Sequence, residues 1–215
     1  MDTKELEDTY NLARGSYELG KKALDYVKFD NNEKINEILR LHSAIGGALG
    51  IIPLPGAVLP FILANVYSMY YRINSELGIP LSKNFVKSIA GMLTSNLSVT
   101  YGSAIGVGVC EVVKFIPLIG SVAGFLGECA ILFAFTGVQG KLYCEWLRKI
   151  VASGAIDKNG NIDENLAKAK MEEILKNKEH IEEMMKKEKA AAKNVDFSKY
   201  KSQAADFVKN NKGES

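Results

Sequence analysis

A chain of 215 residues carrying 27 basic and 25 acidic side chains, with a formal charge of +2 and the signs mixed throughout, lacks the concentrated basic face of a nucleic-acid binder. Its length suits one domain with appendages and a large buried core. Three cysteines, Cys110, Cys129 and Cys144, form no C-x-x-C pair; they argue against a disulfide framework and predict reduced thiols packed as small hydrophobes in an intracellular compartment.

Charge is distributed in blocks. Residues 1–40 hold seven Lys/Arg and nine Asp/Glu, whereas residues 41–150 hold only eleven charged side chains. The tail after 151 is again dense in Lys and Glu. Three regions follow: an amphipathic N-terminal helical arm at 1–40, an apolar core punctuated by glycine and proline at 41–152, and charged helices at 153–215. The first thirty residues show no apolar h-region, so no secretory signal is expected.

Leu6, Tyr10, Ala13, Tyr17, Gly20, Leu24 and Val27 recur at helical spacing and predict a helix over 3–28 that packs on a partner. Phe29-Asp-Asn-Asn32 breaks it, and Asn31 or Asn32 can cap a second helix from Glu33, with Ile35, Ile38, Leu39, His42, Ile45 and Leu49 on one side. From Leu41 to Tyr71 only His42 titratates near neutrality, and the run is longer than the about 20 residues a bilayer requires. Pro53, Pro55, Gly56 and Pro60 interrupt it. Because proline removes a donor and clashes with the preceding turn, two helices meeting at Ile52-Pro-Leu-Pro-Gly56 are expected instead of one. The second ends at Gly78. Ser82 then caps a helix containing Lys83 and Lys87, uncharged from Ser88 to Cys110 and rich in small residues. Another helix is expected from about Leu118 to Ala152, closed by Gly154 and the turn 157–161. Asp163 caps a Lys/Glu-rich helix to about Asn194, and a last amphipathic helix uses Phe197, Tyr200, Ala204, Phe207 and Val208. Period-two alternation is absent; the fold class is all-α, a helical bundle.

Gly46-xxx-Gly50, Gly102-xxx-Gly106 and Gly120-xxx-Gly124 place glycines one turn apart in three uncharged segments. Such strips let helix backbones approach closely, in lipid or in a tightly packed soluble core. Glu128 is the only charge between Lys114 and Lys141, and a carboxylate there needs a donor, a water-lined cleft or a proton. It is the candidate functional polar residue: Glu128→Gln is expected to alter activity or assembly without loss of helicity. Asp157–Asp163 fails as a calcium loop, since glycine falls at position 4 and Lys168 takes the place of the bidentate Glu. Thr136-Gly-Val-Gln-Gly140-Lys141 lacks the residues of a phosphate loop. The histidines, His42 and His180, and the cysteines form no visible nucleophile–base pair; His180-x-x-Glu183 lacks a third ligand. No catalytic residue, cofactor or metal is expected.

Ile52-Pro-Leu-Pro-Gly56, Leu77-Gly-Ile-Pro-Leu-Ser82, Lys114-Phe-Ile-Pro117-Leu-Ile-Gly120-Ser-Val-Ala-Gly124 and Thr136-Gly-Val-Gln-Gly140 occur in that order. In this the chain resembles the bacterial domain of unknown function numbered 697, over about residues 43–148. The resemblance implies a membrane-associated helical protein linked to small GTPases, with Pro53, Pro55, Gly56, Lys114, Pro117, Gly120, Gly124, Thr136 and Gly140 as motif residues. The aspartate common after the family's first proline pair is replaced by Gly56-Ala57, and the chain carries no GTPase domain.

The expected function is therefore a non-enzymatic helical anchor or scaffold at the cytoplasmic face of a membrane. Membrane lipid and a partner GTPase are the expected partners. Two other readings stay open: a soluble α-bundle with an apolar core or lipid-like ligand pocket, and a pore-forming or membrane-perturbing effector.

Overall fold

The computed structural model describes residues 32–50, 58–79, 81–101, 122–156 and 161–200. Among them are six α-helices: α1 (Glu33–Leu49), α2 (Val58–Leu77), α3 (Lys83–Tyr101), α4 (Val122–Ala152), α5 (Glu164–Leu175) and α6 (Lys178–Ala192), followed by a 3-10 turn, Phe197–Tyr200. The only strand-like pairing among the described residues is an isolated bridge, Ile156 to Ile162. The protein is an all-α helical bundle.

Local chemistry accounts for the helix ends. The Asn32 side chain accepts the N–H groups of Lys34 and Ile35 at 3.1 and 3.2 Å, satisfying donors that the first turn leaves unpaired. Ser82 takes the N–H of Phe85 at 3.2 Å and Asp163 that of Leu166 at 2.9 Å. Gly78 ends α2 at φ 63°, a left-handed backbone that L side chains rarely adopt.

One expected helix is broken. The Lys/Glu stretch from Asp163 is two helices, because Asn177 recaps the chain: its side chain accepts the N–H of His180 at 3.2 Å. The break lets α5 lie against α3 and α4 while α6 follows a different part of α4. Of the last expected helix, Phe197–Tyr200 forms the 3-10 turn and the rest lies outside the described residues.

Helix directions follow from which residues meet. His42 pairs with Asn65 and Lys34 with Glu76, so α2 runs against α1. Thr94 meets Gln139 and Phe85 meets Trp146, so α3 runs against α4. Gly46 lies on Thr136 and Gly140 on Leu39, so α1 also runs against α4. Glu145 pairs with His180 and Phe133 packs on Phe197, so α6 does the same. Consequently α1 and α3 end, and α2 and α4 begin, at one end of the bundle, here called the upper pole.

Helix α4 is the axis. Residues 132–140 are all buried, as are 42–49 of α1. Their lack of charge has a sufficient cause in this packing, since a helix enclosed by α1, α2, α3 and α6 has no polar face to spare. The larger core cluster runs from Ile35 through Trp146 to Met185, and a smaller one gathers Ala44, Cys129, Phe133, Ala192 and Phe197. The boundary drawn at 40/41 falls inside α1, and the helices after 153 share the core of the central region.

Candidate functional site

Close approach is the device that brings α1 and α4 together. A Cβ added at Gly46 would collide with the Thr136 side chain and lie 3.3 Å from the Leu132 carbonyl oxygen. One at Gly47 would strike the Phe197 ring, and one at Gly140 the Leu39 side chain, with Met69 Sδ at 2.9 Å. Of the residues singled out in the sequence motifs, Thr136 and Gly140 are thus brought to one helix contact. Gly124 lies in the first turn of α4 and Glu128 further along it, the Glu128 side chain lying outside what the structure describes. Pro53, Pro55, Gly56, Lys114, Pro117 and Gly120 lie outside the described residues, as do Gly102-xxx-Gly106 and the turn 157–160.

Inside the bundle runs a layer of buried polar groups. His42 Nδ1 lies 2.8 Å from Asn65 Oδ1, and Asn65 Nδ2 donates to the His42 carbonyl at 2.9 Å. Because Asn65 Oδ1 can only accept, Nδ1 carries the proton; Nε2 is then free to accept from the Arg72 guanidinium at 3.3 Å. Both partners hold the ring in one neutral tautomer. Burial pushes its pKa down to about 4, and the Arg72 charge acts in the same direction against the Asn65 bonds. On the other side of α2, Tyr70 donates to the Gln139 carbonyl at 3.1 Å, Tyr143 donates to Asn74 Oδ1 at 2.9 Å, and the two rings stack at 3.8 Å. Thr94 donates to Gln139 Oε1 at 2.6 Å.

The His42 network makes stability pH-dependent. The folded protein holds His42 neutral, whereas the unfolded chain protonates below its ordinary value of 6.5. The stabilisation is complete above that value and is lost as the pH falls toward 4. Urea unfolding is expected to show about 2 kcal/mol less stability at pH 5 than at pH 7, a slope that disappears in His42→Gln. An equal slope in the variant would assign the effect elsewhere.

Among the described residues, the other chemistry-bearing groups singled out in the sequence are buried or paired. The Cys144 thiol is pushed up to about 12 by burial, which keeps it out of its nucleophilic form. His180 pairs with Glu145 at 3.2 Å and Glu183 with Lys187 at 2.8 Å. No set of three metal-ligating side chains occurs among the described residues. Lys141, at the end of the phosphate-loop-like stretch, stands in mid-helix and pairs with Glu188, a buried carboxylate on α6. Asn65, Arg72 and Glu188 carried no sequence signal, because their partners lie 23, 30 and 47 positions away.

Two surfaces stand out. At the upper pole α1 and α3 end without a basic residue in the last turn, and α2 and α4 begin without an acidic residue in the first. Val99, two positions before the end of α3, is 81% exposed, and Lys193 and Lys199 are exposed where α6 and the 3-10 turn arrive. The opposite pole carries Glu33, the Lys34–Glu76 pair and Lys83. The second surface is a groove of about 600 Å³ between α1 and α6, floored by α4. No helix among the described residues is long and apolar enough to cross a membrane.

Comparison with protein-family models, with curated proteins and with solved structures finds no match to this chain.

Proposed function

We propose that this chain is a non-enzymatic helical scaffold that docks on a membrane surface by its upper pole. The observation that carries the reading is topological. Helices α1 to α4 alternate in direction, so the connections 51–57 and 102–121 both leave from that pole. In sequence those connections contain Glu111 and Lys114 as their only charged residues. The exposed Val99 adds apolar surface at the same end, and Lys193 adds positive charge of the kind that anionic lipid attracts, beside Lys199, which pairs with Asp196 at 3.9 Å. A small GTPase as the partner of the remaining charged surface rests on the family resemblance alone.

Co-flotation of the full chain with phosphatidylserine-containing liposomes tests the docking. Binding is expected, falling about tenfold in Val99→Glu and in the double variant Lys193→Glu/Lys199→Glu. Recovery of the wild-type chain as a monodisperse species, bound to neither liposomes nor detergent micelles, sinks the proposal.

A second reading, a soluble bundle, is favoured by the complete burial of 42–49 and 132–140, which accounts for much of the uncharged block without lipid. It predicts no liposome binding at any lipid composition. Release of an encapsulated dye by the bound chain would favour a membrane-perturbing role over passive docking.

A further inference from the structure

Helices α1 and α6 both lean on α4, and they close on each other toward the upper pole. There a Cβ on Gly137 would lie 2.8 Å from Glu188 Oε2 and 3.0 Å from Ser43 Oγ, so both helices reach the same small residue. Toward the opposite pole they part over Cys144, which leaves the groove of about 600 Å³. That volume is in the range of small-molecule sites. The lining is sorted along the groove, and contacts across the helices fix the order. Leu39 meets Gly140, Lys141 pairs with Glu188, and Glu145 pairs with His180. Ile35, Leu39, Cys144 and Met184 therefore line an apolar inner part, closed by the Lys141–Glu188 pair. The Cys144 thiol counts as apolar here, since burial keeps it protonated. Glu145, His180 and Arg148 make a polar mouth, with Asn36 on the α1 side.

Such a gradient suits a molecule with a charged head and a short apolar tail. The mouth also selects the head. Arg148 brings a permanent cation whose planar fork matches a carboxylate. Glu145 beside it, already engaged by His180 at 3.2 Å, would repel a head with two negative charges. We propose that the groove binds a medium-chain aliphatic carboxylate, its head on Arg148 and Asn36 and its tail against Ile35, Leu39, Cys144 and Met184. Lys141 and Arg148 are two turns apart, so about 10 Å of helix separates the closed end from the head and limits the tail. The groove opens toward the pole opposite the proposed membrane face, and the site is independent of docking there.

Isothermal titration calorimetry of the full chain with octanoate, kept below its micellar concentration, tests the site. One saturable site is expected, about tenfold weaker for octanol, which lacks the charge, and for acetate, which lacks the tail. Arg148→Gln should weaken octanoate about tenfold and leave octanol unchanged. Met184→Trp fills the inner part and should abolish binding of both, with helicity by circular dichroism retained. Amide shifts induced by octanoate in the native chain are expected at 35–39, 144–148 and 180–184, and not at 94–99. Equal affinity for octanol and octanoate, no saturable site, or shifts concentrated at 94–99 would overturn the proposal. Tighter binding of octyl phosphate than of octanoate would overturn the carboxylate assignment.

Discussion

Trp146→Ala is expected to lower stability by about 4 kcal/mol, at the upper end for loss of a large aromatic side chain. Trp146 is fully buried on α4, where three elements depend on it. Its indole N–H donates to the Ala167 carbonyl of α5 at 2.7 Å, its ring meets Phe85 of α3 at 5.9 Å, and it meets Tyr143 at 5.3 Å. Removing it leaves a cavity and takes away the second hydrogen bond that the Ala167 carbonyl accepts, and a domain of ordinary stability has only about 5–15 kcal/mol to lose. Trp146→Phe keeps most of the volume and is expected to cost about 1.5 kcal/mol, chiefly for the lost hydrogen bond between the indole and the Ala167 carbonyl. Urea unfolding followed by circular dichroism measures both. A loss below 1 kcal/mol in Trp146→Ala would mean that α5 is not held to α4 in this way.

Gly46→Val is expected to cost about 3 kcal/mol, because the α1–α4 contact has no room for a side chain at that position. The neighbour of the added Cβ is the short side chain of Thr136 and the backbone of Leu132, neither of which can swing aside. Helix α1 would have to move off α4, and every contact from Leu39 to Gly50 would loosen with it. A control separates packing from helix propensity. Nothing lies within 4 Å of a Cβ at Gly91, on the exposed face of α3, so Gly91→Ala should stabilise by about 0.5–1 kcal/mol. Gly46→Ala should do the reverse, and combining it with Thr136→Gly should recover part of the loss. If both glycine-to-alanine changes stabilise, the close approach of α1 to α4 is wrong.

Much of this fold was legible in the chain. Asn32, Gly78, Ser82 and Asp163 announce helix ends because their chemistry is local, and each acts as the spacing predicts. The break between α5 and α6 was missed because Lys and Glu carry helix propensity across it, leaving Asn177 as the one signal. The Gly46–Gly50 strip predicted a close helix contact; what it could not specify was the partner, Thr136 and Cys129 on α4.

The larger ambiguity was physical. Lipid and the interior of a helical bundle ask for the same uncharged side chains, so residues 41–150 read alike for either. Enclosure of α4 between its neighbours accounts for 132–140, whereas 51–57 and 102–121 lie outside the described residues. His42 was visible as the lone titratable group in the run, but its neutral state depends on Asn65 and Arg72 from another helix. The groove could not be read at all, since its walls come from three helices far apart in sequence.

The central claim is that one pole of the bundle meets a membrane, and nitroxide accessibility on liposome-bound protein tests it directly. A label at position 99, beside the upper pole, should be shielded from an aqueous relaxation agent and exposed to oxygen dissolved in lipid. A label at position 153, at the end of α4, should show the reverse. Equal aqueous exposure at the two positions in the bound state would contradict the account.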